Sequence, residues 1–181
     1  MNETRRLKKM INDLLTLTKE DYVDLVTKEE VDLEALVKDI CDDFFDIAMI
    51  QNKTLKISSQ LKHKNILSDK NKLRQLFIIF IDNAFKYTEE EDYIKISLSE
   101  KDEKIYIKIE DNGLGIKKEE LPHLFDRFFR SENVRNKDID GSGIGLSIAK
   151  VISESLKYKL KVDSEYGKWT KFEIIIPIDE D

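Results

Sequence analysis

The 181-residue sequence contains a single cysteine, Cys41; this excludes an intramolecular disulfide framework and suits a reducing cytoplasm. Cys41 reads as a small buried residue and not as a nucleophile. Long apolar runs are also missing. The longest, "LFIIFI" at 76–81, falls far short of the roughly 20 residues a membrane-spanning helix needs, so the chain is expected to be soluble. The opening "MNETRRLKKM" is basic but is not followed by the apolar stretch of a secretory leader. If a parent protein touches a membrane, that part is expected outside this sequence. An excess of positive charge is absent too: 37 acidic against 31 basic residues give a formal net charge of -6, which argues against generic binding to nucleic acid or anionic lipid. A polyanionic ligand must then be met by a local basic cluster. There is no internal repeat and no low-complexity tract.

What is present is enough apolar side chain, 40% of residues, to fill a sizeable core. Leu7, Met10, Ile11, Leu14 and Leu17 recur at spacings of three and four, one apolar stripe on a helix. That stripe fits either a helix lying on its own domain or the end of a longer dimerising helix. The charged "TKEDYVDLVTKEEVD" lacks a sustained period. Residues 1–20 are therefore assigned to a helix end, 21–31 to a linker and 32–181 to one domain.

From about Leu33 a helix is expected, with Leu36, Val37, Ile40, Phe44 and Ile47 on its inner side. "KTLKISSQ" alternates as a strand. "NILSDKNKLRQLFIIFIDNAFKYT" reads as a strand end, an N-cap at Ser68 or Asp69 and a long helix. "DYIKISLSEKDEKIYIKIEDNG" holds two alternating strands joined at "EKDEK", a hairpin. A short helix-like stretch, "KKEELPHLFDRFF", precedes a polar loop; "SGIGLSIAKVISESL" reads as a helix, then "KLKVDSEYG" and "WTKFEIIIPI" as two strands. Helices interleaved with antiparallel pairs predict an α/β two-layer sandwich, a mixed and mostly antiparallel sheet covered by helices on one face, with an N-terminal helical extension.

"DIDGSGIGLSIAKVI" at 138–152 places Gly141, Gly143 and Gly145 directly ahead of a helix. It is not a P-loop, because no lysine stands beside Gly145, and not a dinucleotide fingerprint, because the spacing is G-x-G-x-G near the chain's end. Nor does a strand carrying lysine follow, as a Ser/Thr-kinase loop requires. The shared physics remains: glycines let amide N–H groups turn inward, and a helix N-terminus adds partial positive charge. Three further elements change the weight of this loop. "EDNGLGI" (110–116) offers Asp111 beside Gly113 and Gly115, "IDNAFKYT" (81–88) carries Asn83 and Lys86 near a helix end, and "LFDRFFR" (124–130) combines aromatics with Arg127 and Arg130.

In this order the four elements resemble the N, G1, F and G2 boxes of the catalytic ATP-binding domain of bacterial sensor histidine kinases, over about residues 30–178. That family's Bergerat fold is shared with type II topoisomerase ATPases, a class of heat-shock chaperones and mismatch-repair ATPases. The "RRLKKMINDLLTLTKED" stretch resembles the close of the family's second dimerisation helix.

The resemblance implies ATP and Mg²⁺ as ligands. Asp111 is expected to read the exocyclic amine of adenine, and ATP to be preferred to GTP. Asn83 is expected to hold Mg²⁺. Lys86 is expected to neutralise phosphate oxygens, and Tyr87 to close over the nucleotide. Arg127 and Arg130 are the candidate F-box arginines, one of them near the γ-phosphate in a closed state. Gly113, Gly115 and Ile116, with Ser142, Gly143, Ile144, Gly145 and Leu146, complete the expected nucleotide contacts. Lys137 adds a charge from the lid "RSENVRNKDID", expected to be mobile without nucleotide. Phe125 and Phe128 are expected to anchor that lid to the body.

The partners implied are the dimerisation and phosphoacceptor helices of a homodimeric parent and a response regulator, with no nucleic acid. A cytoplasmic domain of a membrane-anchored parent is implied. The reaction implied is transfer of the γ-phosphoryl group to a histidine outside this sequence; His63 and His123 read as surface residues. Two positions depart from the family. Ile79 stands four residues before Asn83, where relatives have asparagine or glutamate, and an isoleucine neither orients nor deprotonates water. "ESLKYKLKV" lacks the glycines usual after the last helix. A serine kinase of the anti-sigma type, and a degenerate module that binds nucleotide or a partner without phosphotransfer, are the competing readings.

Overall fold

In a computed structural model of the chain, the residues described are 26–131 and 142–178. Seven strands and three helices occupy them, in the order β1 (Glu29–Asp32), α1 (Leu33–Ile50), β2 (Thr54–Gln60), β3 (Asn65–Ser68), α2 (Lys70–Tyr87), β4 (Tyr93–Lys101), β5 (Lys104–Asp111), α3 (Gly145–Ser155), β6 (Lys159–Glu165) and β7 (Trp169–Pro177). The expected N-terminal helix of residues 1–20 lies outside the described residues. Residues 29–31, read from sequence as linker, are strand: β1 pairs antiparallel with β3, Val31 opposite Ile66.

Five strands form the main sheet, ordered β2-β4-β5-β7-β6. β2 runs parallel to β4; the other neighbours are antiparallel. Period-two alternation sends Ile94, Ile96 and Leu98 of β4, Ile105, Ile107 and Ile109 of β5, and Phe172, Ile174 and Ile176 of β7 to one buried face. The three helices supply the opposite layer, with Leu36, Val37 and Ile40 of α1, Leu73, Leu76, Phe77 and Phe80 of α2, and Ile148 and Ile152 of α3 in the same core. Phe80 meets Phe172 with ring centroids 4.8 Å apart, and Phe44 meets Phe85 at 5.2 Å. This is the two-layer, one-face-covered sandwich expected.

The helix ends follow local chemistry. Asp32 caps α1 by accepting from Ala35 N–H at 2.9 Å, and Asp69, not Ser68, caps α2 by accepting from Lys72 N–H at 3.0 Å. The C-terminal carbonyls of α2 are met from outside the helix: Lys53 Nζ donates to Phe85 O at 2.7 Å and Thr88 O at 2.9 Å. Replacing Lys53 with methionine leaves those carbonyls short of donors and is expected to cost about 1 kcal/mol, read as a shift of the urea midpoint at constant slope.

The β4–β5 hairpin closes with Asp102 and Glu103, both at positive φ (50° and 55°), the backbone of a two-residue turn built here without glycine. Three local expectations fail. Ile47 is exposed and Ala48 is buried instead. The stretch 117–129 is a series of turns around one short 3₁₀ segment, Leu121–His123, because Pro122 has no N–H to continue a ladder. Phe128 is exposed, while Phe125 does pack against the core. Cys41 is buried, and burial pushes its thiol up to about 12, with Asp42 adding to the rise. His63 and His123 are at the surface, on Glu100 and Asp126 respectively.

Candidate functional site

α2 forms one wall of a cavity of about 490 Å³ between the helical layer and the end of the sheet. Its 18 residues bury Phe77, Phe80, Ile81, Ala84 and Phe85 against the core. At 100° per residue, that leaves Ile79, Asp82, Asn83, Lys86 and Tyr87 facing the cavity. The floor comes from the sheet. The inner-face alternation of β5 runs Ile105, Ile107, Ile109 and then Asp111, a carboxylate where the pattern calls for an apolar side chain. Its cross-strand partner on β7 is Thr170. Both are buried and both line the cavity. Thr170 was not singled out from sequence; only strand register reveals it.

Burial pushes the Asp111 carboxyl up to about 7 against one lowering contact, the Gly113 N–H donating to Oδ1 at 3.0 Å; Asp92 and Glu110 raise it further. A buried acceptor with this little compensation is costly when the cavity is empty and valuable to a ligand that donates to it.

The glycines beside it serve chain packing. A Cβ on Gly113 would overlap the carbonyl oxygen of Tyr87, and one on Gly115, whose φ is +62°, would overlap that of Glu165. Those approaches allow Leu114 N–H to donate to Tyr87 O at 2.9 Å and Gly167 N–H to donate to Leu114 O at 2.8 Å. Ile116 N–H donates to Ser164 Oγ at 2.8 Å. The loop is thus riveted on one side to the end of α2 and on the other to the β6–β7 turn. Gly115 and Ile116 line the cavity together with Leu114; Gly113 does not.

The loop entering α3 supplies Ser142, Gly143, Gly145 and Leu146 to the lining. A Cβ on Gly145 would sit 3.7 Å from Ile79 Cγ2, an ordinary contact, so the helix start lies close against α2 at the cavity's edge. Ile144, expected to touch nucleotide, is instead fully buried core and gives its carbonyl to Ser147 Oγ and Ile148 N–H. Gly141 and Lys137 lie outside the described residues, as does most of the lid. Of the F-box arginines, Arg130 lines the cavity and Arg127 is exposed and away from it. Of the F-box aromatics, Phe129 reaches the cavity. Phe128 takes a positive φ of 63° with its N–H donating to Gly143 O at 3.0 Å, so the F-box and the α3 loop are joined through backbone.

Lys86 forms an ion pair with Asp82 one turn earlier. The Tyr87 phenol is held above its ordinary range by burial first, with the neighbouring Arg130 opposing and Asp82 adding to the shift. Asn83 Nδ2 is buried with no hydrogen-bond partner. That nitrogen is a donor and calls for an acceptor such as a phosphate oxygen, while the other end of the same amide, its oxygen, is the type of group that ligates a hard cation keeping most of its waters. No group of three or more His, Cys, Asp or Glu able to cage a metal occurs among the described residues. A single amide oxygen is a donor type compatible with Mg²⁺ that arrives already bound to phosphates.

Several known proteins are similar to this chain. The sensor protein CiaH of Streptococcus pneumoniae is 33% identical over 98% of the chain, the histidine-protein kinase ArlS of Staphylococcus epidermidis 34% over 98%, and the sensor histidine kinase WalK of Bacillus subtilis 31% over 99%. The chain spans 30 to 40% of the length of these curated relatives. Among solved structures, the histidine kinase AdeS of Acinetobacter baumannii matches with TM-score 0.79 at 24% identity, over 99% of this chain and 82% of that one. The catalytic domain of histidine kinase ThkA matches with TM-score 0.72 at 22%, over 83% and 97%. Residues 68–180 match the family model described as "Histidine kinase-, DNA gyrase B-, and HSP90-like ATPase". Every described residue of the cavity wall falls inside that match, and the chain belongs to this family of ATPases.

Proposed function

We propose that the chain is the nucleotide-binding catalytic part of a sensor histidine kinase: it binds ATP with Mg²⁺ and delivers the γ-phosphoryl group to a histidine outside the described residues. The observation that carries this reading is the polarity of one cavity. A buried acceptor, Asp111, stands on the floor, and an amide and two cations, Asn83, Lys86 and Arg130, stand on the walls.

Asp111 accepts from the exocyclic amine of adenine; guanine would turn an oxygen toward it and lose that bond. Lys86 and Arg130 meet phosphate oxygens, and the amide N–H groups around Ser142–Gly145 point from a helix start at the same charge. Asn83 offers its amide oxygen to the cation. The bound cation supplies charge neutralisation on the phosphoryl oxygens as the bond to the leaving phosphate breaks. A histidine nitrogen attacks phosphorus in line, the bond from the γ-phosphorus to the bridging oxygen breaks, and ADP leaves. Ile79 presents hydrocarbon where hydrolytic relatives place a base, which favours transfer over attack by water.

The parent is proposed as a homodimer anchored in the membrane, acting on a response regulator. ThkA, solved in complex with the response regulator protein TrrA, supports the response-regulator partner. ShkA, solved with AMPPNP, matches with TM-score 0.81 over 94% of this chain. No helix among the described residues is long and apolar enough to cross a membrane.

The test mixes the chain with labelled ATP, Mg²⁺ and a separate histidine-bearing helical hairpin, and follows acid-labile phosphate on the hairpin. Transfer is expected, and Asn83→Ala is expected to lower it at least tenfold. Equal transfer by the two proteins would remove the metal role of Asn83. ATP binding without any transfer would leave a nucleotide-binding module.

A further inference from the structure

The nucleotide reading leaves one feature of the cavity unexplained, a carboxylate on the wall where the phosphates belong. Asp82 stands three residues after Ile79, whose side chain faces Gly145 at the start of α3, and four before Lys86. It lines the cavity and is about one-third exposed. Neither its spacing nor its sequence neighbours gave it a role.

The charges at this end are few. Among the described lining residues, Lys86 and Arg130 are the cations near α2's last turns; Arg74, more than two turns earlier on α2, pairs with Asp39 at 2.6 Å. Asp82 holds the ammonium of Lys86. Two cations and a carboxylate on these walls are few charges with which to receive a tetra-anion. A naked triphosphate has to draw Lys86 away from Asp82 and then sits against the carboxylate it has exposed. A divalent cation reverses the sign of that encounter, because Asp82 then faces a cation–phosphate cluster and Lys86 is released to the oxygens. The adjacent residue, Asn83, lines the same cavity and carries an amide oxygen, a second oxygen that α2 can offer a cation, while its buried amide nitrogen with no partner is a donor suited to a phosphate oxygen. Ile79 on the preceding turn contributes neither.

We propose that Asp82 makes nucleotide binding conditional on the divalent cation: its carboxylate repels the metal-free triphosphate and supplies an anionic oxygen to the coordination or hydration shell of the cation that arrives with it. Asp82 is a positioning and selecting residue for the cation–nucleotide complex. This rests on the ATP–Mg²⁺ reading of the cavity and adds a residue and a sign to it.

The experiment is calorimetric titration of the chain with ATP in excess EDTA and again in saturating Mg²⁺, for the native protein, Asp82→Asn, Asp82→Ser and Asp82→Glu, with thermal melts of each. Removing one charge several ångströms from a phosphate in this partly exposed setting changes affinity on the order of tenfold. Asp82→Asn and Asp82→Ser are expected to bind ATP about tenfold tighter than the native chain in EDTA, and to lose at least tenfold of the enhancement Mg²⁺ gives. Asp82→Glu is expected to keep the native pattern. If the uncharged variants bind more weakly by the same factor in both buffers, Asp82 merely holds Lys86 in place and the inference is wrong. Unchanged affinities overturn it as well. A native chain that binds ATP in neither buffer removes the nucleotide reading itself, whereas a native Mg²⁺ dependence retained by both uncharged variants removes only the role of Asp82.

Discussion

Asp111→Asn is expected to weaken ATP binding at least tenfold while making the empty protein more stable above neutral pH. The two effects have opposite signs because they come from one property. With nothing in the cavity, the Asp111 carboxyl is buried and its pKa is pushed up to about 7 from 3.8. A folded-state pKa above the unfolded one means that the folded protein holds a proton the unfolded chain has given up. Stability from this group is therefore complete below about pH 4, falls as pH rises, and is fully lost once pH passes through about 7. Near pH 8 the ionised carboxylate costs on the order of a few kcal/mol. Asparagine carries no charge to bury, and its oxygen can still accept from Gly113 N–H. It cannot serve as the anionic acceptor for an amine. Denaturant titrations of both proteins at pH 5 and pH 8, with ATP titrations beside them, check the pair. A variant with native affinity, or one that loses stability at high pH, would refute the account.

The same linkage gives native nucleotide binding a signature. A donor placed on Asp111 favours the ionised form, so binding near pH 7 releases protons. Calorimetry in buffers of different ionisation enthalpy reads that release directly, and Asp111→Asn should abolish it.

Gly113→Ala is expected to cost at least about 3 kcal/mol of stability and to lower ATP affinity more than tenfold. The added methyl would occupy the place of the Tyr87 carbonyl oxygen and lie 3.1 Å from Asp111 Oδ1. Backbone cannot yield as a flexible side chain can. The loop must withdraw, which breaks the Leu114–Tyr87 hydrogen bond and frees the end of α2 that carries Lys86. Gly113 is away from the cavity lining, so lost affinity would arise from displaced neighbours. A variant with native melting temperature and native affinity would show that the loop has slack this geometry denies.

The fold was legible where periodicity and local chemistry agree. The helix α2 announces itself by the Asp69 cap and the spacing of Leu73, Leu76, Phe77 and Phe80, and the β4–β5 hairpin by clean alternation on both sides of two turn residues. β1 was missed because four residues of a charged segment acquire strand structure only through their distant partner β3. The turns at 117–129 were misread because apolar residues at helical spacing outweighed Pro122.

In the site, Asp111, Asn83, Lys86 and Arg130 stand out in the sequence by their own chemistry, and all four line the cavity. Residues whose role follows from register were missed. Thr170 is placed by its pairing with Asp111, and Phe129 by a backbone turn at Phe128. Asp82 is legible only in the structure, where it lines the cavity and pairs with Lys86. The glycines at 113 and 115, expected from sequence as nucleotide contacts, admit neighbouring carbonyls, and only Gly115 lines the cavity.

The strand order has a consequence for how this site assembles in time. β4–β5 and β6–β7 close over two and three turn residues, so their loop-closure entropy is small and they are expected to form in microseconds. The floor of the cavity requires a further step, joining β5 to β7 across a separation of more than fifty residues, from Asp111 to Thr170. β2 must also find β4 in parallel after the chain has wound through α2. Long-range pairings of this kind slow folding. The opposing walls thus belong to different, distant stretches of chain, and the binding cavity is among the last features of the native state to appear.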